Sequence, residues 1–226
     1  MKIRLNYTER GFGKPLILLH GNRESLEYFE KQMEYFWSDY HVIAIDTRGH
    51  GKSPRGDRPF TIRQFAEDLK HFMDFHKIEK AHILGFSDGG NIALCFALKY
   101  PERVDKLILN GANLYSAGVK PSVQVPIIVE YKIASFLAKR NLKSLKKAEM
   151  YGLMVNDPNI EPAELHDLKN PTLVIAGTKD MIKDEHTHLI FESLPNAQLV
   201  LIEGDHFIAS KKADEFNAAV GSFLKG

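Results

Sequence analysis

A buried-strand pattern, a glycine-flanked serine and an apolar helix follow one another without interruption over residues 81–98, and this succession restricts the fold more than any other part of the chain. Ala81-His82-Ile83-Leu84 reads as a strand, Gly85-Phe86-Ser87-Asp88-Gly89 matches G-x-S-x-G and is followed by Gly90, and Asn91 to Leu98 reads as a helix. With glycine at about 7% of residues, the five-residue pattern alone arises in roughly one chain in ten of this length. Its setting gives it weight, because a strand-to-helix turn this sharp leaves no room for a side chain at position 85 or 89 and lifts the Ser87 hydroxyl to the carboxyl end of a sheet. There the hydroxyl meets a helix N-terminus, whose unpaired N–H groups favour developing negative charge.

The rest of the chain fits such a sheet. Short β-branched or leucine-rich runs alternate with longer amphipathic segments, the pattern of a mostly parallel sheet with helices on both faces. Seven strands are predicted: Ile3 to Thr8, Leu16 to Leu19, His41 to Ile45, Ala81 to Phe86, Lys106 to Leu109, Thr172 to Ala176 and Gln198 to Ile202. Gly11-Phe12-Gly13 suggests that the first two form an antiparallel hairpin, the remainder being parallel. Apolar residues at three- and four-residue spacing predict helices over 24–37 and 61–76, with others after Ser87, over 184–194 and over 213–224. The alternation stops at Tyr115 and resumes after Leu168. The expected organisation is therefore one core domain, residues 1–114 and 169–226, with a helical lid inserted at 115–168.

A serine nucleophile needs a base, and the base an orienting acid. Asp180 lies just past the strand that begins at Thr172, and His206 just past the next. Both fall on the sheet edge that carries Ser87. Of the ten histidines, His41, His71, His76 and His82 sit in regular elements, His20 and His50 in loops, and His166, His186 and His188 on what reads as lid or helix surface. Asp205 is the rival acid, but its adjacency to His206 is awkward for orienting that ring; Asp184 reads as a helix cap. Leu18-Leu19-His20-Gly21-Asn22 ends an early strand, so the backbone N–H groups of Asn22 and Asp88 are the expected oxyanion donors. Phe86, Ile127, Tyr131 and Phe207 are the remaining candidates for substrate contact.

His20-Gly21, Asp46-Thr47-Arg48-Gly49-His50-Gly51-Lys52-Ser53, Gly85 to Gly90, Gly177 to Asp180 and Gly204 to His206 together resemble the α/β-hydrolase fold family in order and spacing, over essentially the whole chain outside the lid. The resemblance implies that Asp46, Arg48 and His50 are architectural. Gly85 to Gly90, Asn110 to Tyr115 and Ala213 to Asn217 look closer to the valacyclovir hydrolase branch, whose members cleave α-amino acid esters and receive the substrate ammonium on an acidic residue directly after the nucleophile. Asp88 matches that position. The chain departs from the branch in starting at what looks like its second strand and in having a shorter lid.

Two readings of Asp88 stay open: a carboxylate that attracts an amino-bearing acyl group, or one that complements the helix dipole and points away. The expected activity is hydrolysis of a small carboxylic ester through an acyl-enzyme. The rivals are a carbon–carbon bond hydrolase or cofactor-free haloperoxidase on the same frame, and a non-enzymatic ligand receptor.

Lys plus Arg number 30 against 29 Asp plus Glu, so nucleic acid and bulk anionic membrane are poor partners for the formal charge of +1. No stable membrane association is expected, a homodimer is left open, and no metal or organic cofactor is called for, since no compact ligand spacing such as H-E-x-x-H occurs. The single cysteine, Cys95, falls in an apolar helix and reads as a packed thiol. With no signal-peptide pattern at the N-terminus, the expected location is cytoplasmic.

Overall fold

In the computed structural model, which describes residues 3–226, a seven-stranded sheet runs in the order β1-β3-β2-β4-β5-β6-β7. The strands are β1 (Tyr7–Arg10), β2 (Pro15–Leu19), β3 (His41–Ile45), β4 (Ala81–Phe86), β5 (Val104–Asn110), β6 (Thr172–Gly177) and β7 (Ala197–Ile202). All neighbours pair in parallel except β1, which lies antiparallel to β3.

The expected hairpin between the first two strands does not form. Leu16, Ile17, Leu18 and Leu19 are buried on both faces of β2, which therefore takes an interior place between β3 and β4. β1 exposes Thr8, Glu9 and Arg10 and suits only an edge. It also starts at Tyr7, later than expected: the chain before it is held by the Asp46 N–H donating to Asn6 O and the Asn6 N–H donating to Ser53 Oγ.

Period-two alternation along the strands divides the core in two. Ile17, Leu19, Ile43 and Ile83 pack with α2 (Ile62–Phe75), α3 (Asp88–Lys99) and α6 (Asp184–Ser193) on one face. Leu16, Leu18, Val42 and Leu84 pack with α1 (Glu30–Phe36) and α8 (Ala213–Lys225) on the other, near the one-turn α7 (Ile208–Lys211). Each such fully buried aliphatic side chain contributes about 1.5–3 kcal/mol relative to exposure. The segment predicted as one helix over 24–37 splits into a 3₁₀ turn at Leu26–Phe29 and α1, because the carboxylate of Asp46 captures the Leu26 N–H. Cys95 is buried in α3.

Between β5 and β6 the chain makes a helical excursion through α4 (Pro121–Ala138) and α5 (Leu142–Asn156). Asn141 caps α5 by accepting the Ser144 N–H. The base of the excursion is stitched to the sheet: Ile160 N–H donates to Leu114 O at 2.9 Å, and Lys120 N–H to Met181 O at 2.8 Å.

Asp46 and Arg48 are built into the frame as expected. Asp46 accepts from the side chain of Asn6 and from the N–H groups of Leu26 and Lys52. Arg48 forms a two-pronged, buried pair with Asp68, both contacts at 2.6 Å.

Candidate active site

The turn after β4 is as tight as its glycines imply. Ser87 itself adopts φ 53°, ψ −120°, a conformation that a side-chain-bearing residue holds only when its surroundings impose it. A Cβ on Gly85 would stand 2.2 Å from Gly89 O, and one on Gly89 would stand 1.9 Å from Leu19 O. The Ser87 N–H donates to Asn110 O at 2.8 Å, tying the elbow to the end of β5.

His206 and Asp180 meet at the carboxyl ends of β7 and β6. His206 Nδ1 lies 2.6 Å from Asp180 Oδ1, and both residues are buried. Because that carboxylate accepts from Nδ1–H, Nε2 is left as the ring's acceptor; it has no hydrogen-bond partner among the described residues, Ser87 Oγ included. Asp180 is held in turn by the Ile182 N–H on its Oδ1 and by Lys120 Nζ on its backbone carbonyl. Asp205 is engaged elsewhere, accepting from the Phe207 N–H and pairing with Lys211.

Gly111, at φ 61°, brings main chain against this pair: a Cβ there would lie 2.7 Å from His206 Cε1. Replacing Gly111 with alanine is expected to push the imidazole off its line and cut kcat by about 10- to 100-fold, since misplacement of roughly 1 Å has that effect. Steady-state kinetics beside a denaturation curve checks this; an unchanged kcat in a folded variant would refute it.

The loop after β2 is set by His20. Its Nε2 accepts the Thr47 N–H at 3.0 Å, so the proton resides on Nδ1, which donates to Gly21 O at 2.7 Å. Burial lowers the pKa of this ring and keeps it neutral. Glu24 Oε2 accepts the Gly21 N–H at 3.2 Å from the other side. The N–H groups of Asn22 and Asp88 have no hydrogen-bond acceptor among the described residues.

Asp88 does not point out to solvent. It is buried, and among the described residues the one donor to its carboxylate is Asn22 Nδ2 at 2.8 Å, which also donates to Met150 O on α5 at 2.8 Å. Burial pushes the Asp88 carboxyl up to about 6, partly opposed by the Asn22 hydrogen bond.

The other substrate-contact candidates divide. Phe86 is buried, stacked on Tyr28 at 4.4 Å and 4.8 Å from the His206 ring, so it supports the imidazole from the core rather than facing open space. Phe207 is half-buried and flanks His206 at 5.6 Å. Tyr131 turns to α5, where its hydroxyl accepts from Asn156 Nδ2, and Ile127 is half-buried on α4. Among the described residues neither hydrogen-bonds to Ser87, Asp180 or His206.

His186 is a correction. It lies on the inner face of α6 rather than the helix surface, is buried, and accepts the Leu114 N–H on Nε2 at 2.9 Å. Burial lowers its pKa to about 4, so it serves as a neutral clasp for the base of the excursion. Asp184 occupies the first turn of α6, one residue inside the cap position held by Lys183.

Residues 14–138 match the family described as alpha/beta hydrolase fold. The chain belongs to that family. Human serine hydrolase BPHL is 28% identical over 99% of this chain and 84% of its own length, which upholds the likeness to the valacyclovir hydrolase branch. 3-Oxoadipate enol-lactonase 2 of Acinetobacter baylyi is 27% identical over 99% of this chain and 94% of its own. The crystal structure of the enol-lactonase from Burkholderia xenovorans LB400 superposes with a TM-score of 0.83 at 22% identity, covering 99% of this chain and 97% of that one, and bears on the fold. This α/β-hydrolase is thus a hydrolase. No helix among the described residues is long and apolar enough to cross a membrane, and no group of His, Cys, Asp and Glu among them could hold a metal ion.

Proposed function

We propose that this α/β-hydrolase cleaves small carboxylic esters through an acyl-enzyme on Ser87, with a preference for acyl groups that carry an amine. The observation that carries the reading is the bond from His206 Nδ1 to Asp180, which leaves Nε2 free as the base beside a serine on a strained elbow. Ser87 Oγ attacks the carbonyl carbon as its proton passes to Nε2. The resulting oxyanion is held by the N–H groups of Asn22 and Asp88, a pair whose loss typically costs about 3–4 kcal/mol per donor. His206 then returns the proton to the departing alcohol, and the same steps with water in place of serine release the acid. Asp180 stabilises the imidazolium and fixes its tautomer. The helical excursion at 115–168 acts as the lid, joined to the oxyanion loop through Asn22 and Met150.

The amine preference rests on Asp88. A buried carboxylate whose hydrogen-bond donor is a neutral amide lacks a cation, and a substrate ammonium supplies one. The sign of its pH dependence follows. Above about pH 6 Asp88 is anionic and the preference is present; it fades as pH falls through about 6, where the carboxyl is protonated. The upper limit is the substrate's own amine, which loses its charge near ~8.

The test is kcat/KM, which reports the free enzyme, for an amino acid ester and its N-acetyl form between these limits. The expected outcome is a preference of about 10- to 100-fold for the free amine, the size of a charge-assisted hydrogen bond, abolished in Asp88→Asn. Equal rates for both esters, unchanged in the variant, would refute the amine preference.

A further inference from the structure

The solvent-facing side of α4 is apolar. Val125, Val129, Ile133 and Phe136 follow at spacings of four, four and three, so at 3.6 residues per turn they fall on one stripe along the helix. All four are more than half exposed, Phe136 at 72%. Single exposed apolar residues are ordinary on a protein surface; a stripe three turns long is not. α4 packs along α5 by its opposite side, through Gln124 Nε2 on Met154 O and Tyr131 on Asn156. Leu142, in the first turn of α5, is 82% exposed as well.

A second, independent pattern lies on the same segment. Residues 120–150 hold seven Lys and Arg against two Asp and Glu, a net +5. The whole chain carries +1, so the remainder carries −4, and the near-neutral total conceals a positive charge gathered in one place. Five of the seven fall within residues 139–147, where there is no acid at all. Arg140 lies over the Phe136 ring at 5.5 Å, and helical spacing puts Lys132 and Lys139 along one border of the stripe. Lys132, Lys139, Arg140, Lys143 and Lys146 are exposed and have no ionic partner among the described residues; Lys147 pairs with Glu130.

We propose that the outer side of α4, with the start of α5, is a docking surface for an anionic lipid bilayer. The two patterns set separate requirements on a partner. A nucleic acid would neutralise the cations and leave the stripe in water. A second copy of the chain would cover the stripe but bring two faces of +5 together, and a handful of side chains falls far short of the roughly 20–30 residues that each side of a stable protein interface supplies. An anionic bilayer meets both requirements. It takes the apolar side chains about 5–10 Å into the acyl boundary and sets its headgroup anions against the flanking cations. Such association is peripheral and reversible, and needs no membrane-crossing helix, of which the described residues have none. The proposal is independent of the esterase reading.

Co-sedimentation with vesicles tests it, using phosphatidylcholine alone and an equal mixture of phosphatidylcholine and phosphatidylserine. Two variants separate the requirements: Lys139→Ala/Arg140→Ala/Lys143→Ala removes cations, and Val129→Ser/Ile133→Ser/Phe136→Ser removes apolar surface. All six side chains are exposed, and an unchanged urea midpoint shows that each variant keeps its fold. Wild type is expected to bind the mixed vesicles, to come off as salt rises, and to leave phosphatidylcholine unbound. The cationic variant should bind the mixed vesicles about 100-fold more weakly, the scale of three basic residues near an anionic surface. The apolar variant should bind them at least about tenfold more weakly, because binding strength scales with the apolar area inserted. Failure of wild type to bind the mixed vesicles, equal binding to both vesicle types, or binding retained at full strength by either folded variant would overturn the proposal. Sedimentation velocity without lipid supplies the remaining arm: a wild-type dimer that the apolar variant converts to monomers would assign the stripe to a second copy instead.

Discussion

Ser87→Ala is expected to lose ester hydrolysis by on the order of 10⁶-fold, the scale on which removal of a serine nucleophile acts in a triad. A fluorophosphonate probe should label the wild-type protein and fail to label the variant. The fold should survive, because the elbow is held by its main chain: Ser87 N–H on Asn110 O, and Asn91 N–H on Ser87 O. Neither bond involves the hydroxyl. Residual activity within about tenfold of wild type, or labelling that persists in the folded variant, would remove Ser87 from the mechanism. Some turnover above the uncatalysed rate should remain, since the N–H groups of Asn22 and Asp88, the proposed oxyanion donors, are untouched by the substitution. That residue of activity would separate donors that work through the main chain from a nucleophile that works through its side chain.

Gly89→Ala is expected to destabilise the fold by about 4–5 kcal/mol or more, a range reached only by a few mechanisms. The new methyl would stand 1.9 Å from Leu19 O and 2.6 Å from His20 O. Both are backbone atoms, at and just past the buried end of β2, and cannot swing aside as a flexible side chain would. Urea unfolding reads the effect. Gly221→Ala is the control: it lies within α8, its nearest neighbour would be 3.6 Å away, and it should stabilise by about 0.5–1 kcal/mol through helix propensity alone. A Gly89 variant within about 1 kcal/mol of wild type would show that the elbow has more room than its geometry implies.

The parallel sheet and the three strand ends that carry Ser87, Asp180 and His206 were legible because they rest on local signals. A strand buried on both faces is an unbroken apolar run, and a turn follows it at once. What failed were inferences from adjacency. Gly11 to Gly13 mark a real change of direction, but sequence neighbours need not pair, and the partner of β1 is decided by how much of β2 must be buried. His186 looked like a surface residue because polar neighbours surround it in sequence; its buried bond to Leu114 spans 72 positions. His50 was read as architecture, which its bond to Arg48 O bears out, but nothing in a loop sequence tells that its second nitrogen is left without a partner. Arg23 and Lys146 come to line one cleft only when α5 is laid over the oxyanion loop.

The base of the helical excursion closes on itself. Leu114 and Ile160 are joined by a main-chain hydrogen bond, so 45 intervening residues leave the sheet and return to it at one point, while Val119 bridges Ile182 beside the acid loop. A segment fastened in this way is a cassette. Apart from Lys120 and Met150, through which it touches Asp180 and Asn22, its length, charge and shape can be rewritten without altering the spacing between β5 and β6, and so without moving the strand ends that carry Ser87, Asp180 and His206. In such an arrangement an exchange of the cassette would change what surrounds the strand ends and leave the sheet as it is.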